Sequence, residues 1–124
     1  IEAIVENTRA AGHDVQLDWI GVTAEDLDHP PGRGATCARI LEELLMNARK
    51  YAPGAPVSVR IERATDGLVL RVSNPLSSGG AAAMEATGTG LGLVGVAERA
   101  AILGGSARFG PTAAGAFEVE VRLP

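Results

Sequence analysis

Glu43, Asn47, Lys50 and Tyr51 are the side chains in this sequence whose types and spacing could do chemistry together. Steps of three and four residues stack them along one edge of a helix, with neighbouring Cβ atoms about 5–6 Å apart. An amide oxygen such as that of Asn47 suits Mg²⁺, a hard cation that prefers oxygen and shares its sphere with phosphates and water. Lys50, one turn on, could neutralise a phosphate. Glu43, one turn back, could orient or deprotonate a hydroxyl, an imidazole or a water. A merely solvated stripe is the competing reading. Against it, Asn is a poor helix former, and Asn47 sits at the border of the apolar arc Ile40, Leu41, Leu44, Leu45 and Ala48.

A phosphate cradle would complete such a site, and the run Gly88-Thr89-Gly90-Leu91-Gly92-Leu93-Val94-Gly95 is the candidate. Glycines let the backbone turn tightly and approach a ligand, and a following helix offers free N–H groups at the positive end of its dipole. Gly90 to Gly95 also fits the dinucleotide G-x-G-x-x-G pattern. That pattern needs a strand directly before it, and too little chain follows for a doubly wound domain, so the dinucleotide reading fails. No G-x-x-x-x-G-K-[ST] run occurs, which excludes a P-loop. Close helix–sheet packing is the remaining structural explanation of the glycines.

Three helices are expected to position these groups: Ile1 to Ala11, Thr36 to Ala52, and Gly92 to Leu103 with Gly104-Gly105 as its stop. Period-two alternation marks strands at Val15-Leu17-Trp19, Val57-Val59-Ile61, Leu68-Leu70-Val72 and Phe117-Val119-Val121-Leu123. Asp66-Gly67 signals a hairpin between the second and third of these, and Ser106 to Phe109 should pair with the last across Gly110-Pro111. One-sided strands and three helices predict an α/β two-layer sandwich, with a mixed, mostly antiparallel sheet and the helices on one face. Ser73 to Gly90 is a long loop of the kind that forms lids.

Composition bounds the rest. The 124 residues fit one domain, residues 1–124. Apolar residues make up 46% and aromatics 3%, so the core is aliphatic and disorder is excluded. A formal net charge of −4 argues against a broad basic nucleic-acid surface. One cysteine, Cys37, rules out an internal disulfide framework and a paired-cysteine zinc site. No apolar run reaches the roughly 20 residues that span a bilayer, and no membrane contact by this domain is expected. The chain opens on Ile1 and is expected to be a piece of a longer protein.

Glu43-Leu-Leu-Met-Asn47-Ala-Arg-Lys50-Tyr51-Ala resembles the N box of the GHKL (Bergerat-fold) ATPases. Gly88 to Arg99, followed by Leu103-Gly104-Gly105, resembles the second glycine box of histidine kinases. Its Glu-Arg and Leu-Gly-Gly extension is similar to the subgroup paired with LuxR-type response regulators. The resemblance covers essentially the whole chain. It implies the catalytic, ATP-binding domain of a two-component sensor histidine kinase, with ATP and Mg as cofactors. Asn47 would bind Mg²⁺, and Glu43 would be the acid–base residue assisting attack by the acceptor histidine. Lys50 would contact phosphate, and Tyr51, where many members carry His, the ribose or phosphates. Thr87, Gly88, Thr89, Gly90, Leu91 and Gly92 would wrap the triphosphate. The implied partners are a dimerisation/phosphoacceptor domain outside this chain and a LuxR-type regulator. The resemblance also implies a homodimeric parent, a cytoplasmic location for this domain and no nucleic-acid partner.

One position departs from the family. Its first glycine box carries an Asp that accepts from the adenine amine, and here the corresponding strand end reads Val72-Ser73-Asn74-Pro75. Asn74 keeps an acceptor oxygen and adds a donor, so adenine selectivity is expected to survive with weaker affinity. His13-Asp14 imitates a phosphoacceptor pair but follows Gly12 into a strand, and His29 lies in a Pro-rich loop; both read as surface turns. Cys37 has no assigned role, and Glu98 with Arg99 reads as a solvent-side or packing pair. The alternatives are a serine kinase of the anti-sigma-factor type and a degenerate nucleotide-sensing or protein-binding module.

Overall fold

The computed structural model describes residues 1–51, 54–75 and 90–124. Its elements run α1 (Glu2–Ala10), β1 (Val15–Ile20), a short 3-10 turn (Asp26–Asp28), α2 (Arg33–Tyr51), β2 (Val57–Ala64), β3 (Gly67–Pro75), α3 (Gly90–Ile102), β4 (Ser106–Pro111) and β5 (Ala116–Leu123). The five strands lie in the order β1-β2-β3-β5-β4. Among the described residues β1 and β2 are parallel, and the pairs β2–β3, β3–β5 and β5–β4 are antiparallel. This is the expected two-layer α/β sandwich with a mixed sheet.

Alternation along the strands decides which face the helices cover. Val57, Val59 and Ile61 on β2 lie beside Val15, Leu17 and Trp19 on β1. Leu68, Leu70 and Val72 on β3 lie beside Leu123, Val121 and Val119 on β5. These residues join Ile40, Leu41, Leu44, Leu45 and Ala48 of α2, Val5 of α1, and Leu93, Val96 and Ala100 of α3 in one aliphatic core. The arc assigned to α2 from its 3.6-residue period is therefore its buried face. The opposite sheet face carries charge: Arg71 pairs with Glu62, Glu118 and Glu120, and Glu120 also takes Arg122 and Arg108.

The helix stops are set by glycine. Gly104 N–H donates to Ala101 O and Gly105 N–H to Ala100 O, with Gly104 at φ +82. That pair of bonds is a Schellman motif, which satisfies two orphan carbonyls at the end of α3. Gly12, at φ +93, ends α1 in the same way through bonds to Arg9 and, from His13, to Thr8.

Four boundaries differ from expectation. β3 runs on through Ser73, Asn74 and Pro75, where the long loop was expected to begin, because these residues pair with Glu118, Phe117 and Ala116 of β5. α2 begins at Arg33 rather than Thr36, because the Asp28 carboxylate accepts from the N–H groups of Gly32 and Gly34 and caps the helix earlier. α3 begins at Gly90, so the glycines at 90 and 92 stand within its first turn. β4 continues through Gly110-Pro111, and the chain reverses at residues 112–115 instead. There Thr112 N–H bonds Ala116 O, its hydroxyl accepts from Ala116 N–H, and Gly115 takes φ +80. The β2–β3 hairpin turns through Thr65-Asp66 as expected, although Gly67 alone carries a positive φ.

Arg33 fastens the start of α2. Its side chain is buried, and it donates from Nε to Leu27 O (2.9 Å), from Nη2 to Asp26 O (2.8 Å) and from Nη1 to Pro124 O (3.2 Å). The 3-10 turn, the main helix and the end of the sheet are thereby tied at one point.

Candidate nucleotide site

The second half of α2, the end of β3 and the first turns of α3 converge at one end of the core. A narrow cleft there is lined by Leu44, Asn47 and Ala48 of α2, Val72 and Asn74 of β3, Leu93 of α3, and Phe117 and Val119 of β5. Asn74 follows Leu68, Leu70 and Val72 on the inward face of β3, opposite Phe117, and is 5% exposed. Strand alternation therefore drives an amide into a position that an apolar residue would otherwise take.

The two amides of the cleft differ in their partners among the described residues. The Nδ2 atom of Asn47 is buried and makes no hydrogen bond among the described residues. A buried donor left unmatched costs about 1–3 kcal/mol, so a polar ligand at this point recovers free energy that the protein alone forgoes. The amide of Asn74 donates from Nδ2 to Pro75 O at 3.3 Å, and no other bond to it is made among the described residues. The cleft encloses only about 10 Å³, room for about one water, so its apolar walls and two amides offer polar contacts to the edge of a ligand and would have to part to admit a whole ring. Asn47 supplies one oxygen-bearing amide, and no group of three His, Cys, Asp or Glu side chains gathers as a metal site among the described residues. A Mg²⁺ ion held by Asn47 would thus take its remaining oxygens from phosphate and water, its usual habit.

Glu43 stands one turn before Asn47 and is half-buried. Arg99 Nη1 of α3 donates to its Oε1 at 2.7 Å, the length of a charge-assisted bond. Of the two α3 residues read as a solvent-side or packing pair, Glu98 faces solvent, whereas Arg99 packs across to α2. Gly95 and Arg99 lie four apart on α3, a spacing that places the glycine under the arginine's path. That spacing was the available signal in the sequence, but which carboxylate the arginine meets depends on how the two helices pack.

Lys50 is exposed on α2. Tyr51 closes that helix, and Gly90, Leu91 and Gly92 form the first turn of α3. Thr87, Gly88 and Thr89, with most of the Ser73–Gly90 stretch and with Ala52 and Pro53, where α2 was expected to end, lie outside the described residues. His13 lies in the turn between α1 and β1, and His29 is exposed after the 3-10 turn. Cys37 is buried against the core, and burial pushes its thiol up to about 11, which keeps it protonated and inert. No helix among the described residues is long and apolar enough to cross a membrane.

Residues 32–124 match the family described as histidine kinase-, DNA gyrase B- and HSP90-like ATPases. The chain belongs to this family and is an ATP-binding domain of it. Its fold is shared with solved histidine kinase domains. The cytoplasmic segment of histidine kinase QseC is 23% identical with a TM-score of 0.58, over 99% of this chain and 68% of that one. The histidine kinase AdeS of Acinetobacter baumannii is 18% identical with a TM-score of 0.66, over 98% of this chain and 63% of that one. The ATP-binding domain of PrrB from Mycobacterium tuberculosis is 22% identical with a TM-score of 0.65, over 99% of this chain and 88% of that one. This chain thus spans about two thirds of the length of the first two. A search of curated proteins returned no match.

Proposed function

We propose that this is the catalytic domain of a two-component sensor histidine kinase, which binds Mg-ATP and delivers the γ-phosphoryl group to a histidine on a dimerisation domain outside this chain. The observation that carries the reading is the buried Nδ2 of Asn47, without a partner among the described residues, in one cleft with Asn74 and one helical turn from Glu43. Asn74 accepts from the adenine amine through its oxygen. Asn47 would hold Mg²⁺ through its amide oxygen, and Lys50 and the glycines at 88, 90 and 92 would contact the phosphates. Magnesium supplies charge neutralisation across the phosphate oxygens. At transfer, the electron pair of an imidazole nitrogen forms the N–P bond and the β–γ bridging oxygen leaves with ADP. The proton on the opposite ring nitrogen passes to Glu43. Positioning and charge account for the rest of the catalysis. A cytoplasmic homodimeric parent and a LuxR-type response regulator as downstream partner complete this reading.

Two other readings remain. A serine kinase of the anti-sigma-factor type would use the same cleft. A module that senses nucleotide without transfer is favoured by the amide at position 74, where the resemblance implies a carboxylate. One assay separates all three: incubate the full-length protein with γ-labelled ATP and Mg²⁺, then treat it with acid or alkali. A label lost in acid and kept in alkali marks phosphohistidine and supports the proposal. An acid-stable label on an added partner protein supports the serine kinase, and ATP binding with no label supports the sensing module.

A further inference from the structure

The ion pair between Arg99 and Glu43 joins the two segments that carry the site, and neither box alone accounts for it. Arg99 Nη1 holds Oε1 at 2.7 Å, while Oε2 accepts no hydrogen bond among the described residues. The pair lies over Gly95, where an added Cβ would sit 3.4 Å from Nη1 and 3.5 Å from Oε2. The arginine therefore runs back along α3 toward the glycine run, the direction in which helical side chains lean. Its side chain is 31% exposed and that of Glu43 26%, so the contact is partly shielded from water. A carboxylate on a helix edge otherwise samples several rotamers. One fixed oxygen reduces that freedom and leaves the second oxygen aimed consistently.

We propose that Arg99 is a positioning residue for phosphoryl transfer: by gripping Oε1 of Glu43 it presents Oε2, which accepts no hydrogen bond among the described residues, to the imidazole proton. This rests on the kinase reading above. Arg99 itself touches neither substrate nor the reacting atoms. It also makes the orientation of Glu43 depend on where α3 sits, so the acid–base residue is set only when the glycine-run helix is docked on α2.

A double-mutant cycle in the full-length protein tests this, with Arg99→Ala, Arg99→Lys, Glu43→Gln and Arg99→Ala/Glu43→Gln, each read for Mg-ATP Kd and for single-turnover transfer rate. Misaligning a catalytic group costs about 100-fold or less, so Arg99→Ala should slow transfer roughly 10–100-fold while Kd moves less than about 3-fold. Arg99→Lys should restore part of the rate. The double variant should be no slower than Glu43→Gln alone, because an arginine that acts through Glu43 has nothing left to position. A double variant slowed by the product of the two single effects overturns the inference, as does a loss of ATP binding that accounts for the whole rate loss. If Arg99→Ala does not fold, Arg99→Lys in the Glu43→Gln background gives the same comparison: an unchanged rate supports the inference and a further loss overturns it. A wild-type protein that binds ATP but forms no phosphohistidine defeats the kinase reading, and this inference with it. A wild type that transfers while the cycle is additive defeats this inference alone.

Discussion

Replacing Asn74 with Asp should separate stability from nucleotide affinity, because the two respond to the same atoms in opposite directions. Without nucleotide, Asn74 is 5% exposed and donates from Nδ2 to the Pro75 carbonyl at 3.3 Å. An aspartate there loses that donor and turns an anionic oxygen toward the same carbonyl, inside a cleft walled by Leu44, Val72, Leu93, Phe117 and Val119. The lost bond and the poorly solvated charge together cost about 2–3 kcal/mol of stability. With ATP bound, the carboxylate accepts from the adenine amine as a charged rather than a neutral acceptor. That gain of about 1–2 kcal/mol corresponds to roughly 5–30-fold in Kd. Urea unfolding reports the first quantity and titration calorimetry the second. A variant that is less stable yet binds ATP more tightly is the expected result. A less stable variant with unchanged or weaker ATP binding would refute the placement of adenine against Asn74, since the destabilisation shows that the carboxylate is buried as described.

Three further outcomes follow from the geometry. Gly95→Ala should raise stability by about 0.5–1 kcal/mol in urea, because the residue is helical and the new methyl meets only ordinary contacts; a loss would show that the Arg99–Glu43 pair needs that space. Arg33→Met should lower the unfolding midpoint by the equivalent of about 2–4 kcal/mol, since it leaves three carbonyls without their charged donor. Glu120 tests the charged sheet face. Burial opposes its ionisation, but the hydrogen bond from Arg122 and the charges of Arg122, Arg71 and Arg108 hold its carboxyl below the ordinary 4.5. Its stabilising contribution is therefore complete above that value and disappears as pH falls through the lower folded one. Glu120→Gln should be less stable than wild type at pH 7, and the gap measured by thermal unfolding should close in strong acid.

The sheet and the core were legible in the sequence because both are written locally. Val57-Val59-Ile61 and Leu68-Leu70-Val72 declare their inward face by alternation, and Ile40, Leu41, Leu44, Leu45 and Ala48 do so at helical spacing. Glycines 12 and 104 announced their helix ends because a left-handed residue at that point needs a glycine. Asn47 stood out as an amide at the edge of an apolar arc, and in the structure its Nδ2 is buried without a partner among the described residues. Contacts made between distant segments left no such trace. Arg99 meets Glu43 across 56 positions, and Arg33 reaches Pro124 across 91. Neither spacing has a local period, and a buried arginine bound only to carbonyls reads in sequence as an ordinary surface cation. The early start of α2 was hidden for a related reason, since its cap comes from Asp28, beyond the Pro30-Pro31 pair.

The central claim is that the Asn47 cleft holds Mg-ATP. Titration calorimetry of this chain with ATP, with and without Mg²⁺ and beside GTP and an Asn47→Ala variant, tests it most directly. Adenine-selective binding is expected, weakening when Mg²⁺ is withdrawn and again in Asn47→Ala, with the magnesium dependence abolished in the variant. ATP binding that is indifferent both to Mg²⁺ and to the loss of the Asn47 amide would contradict it.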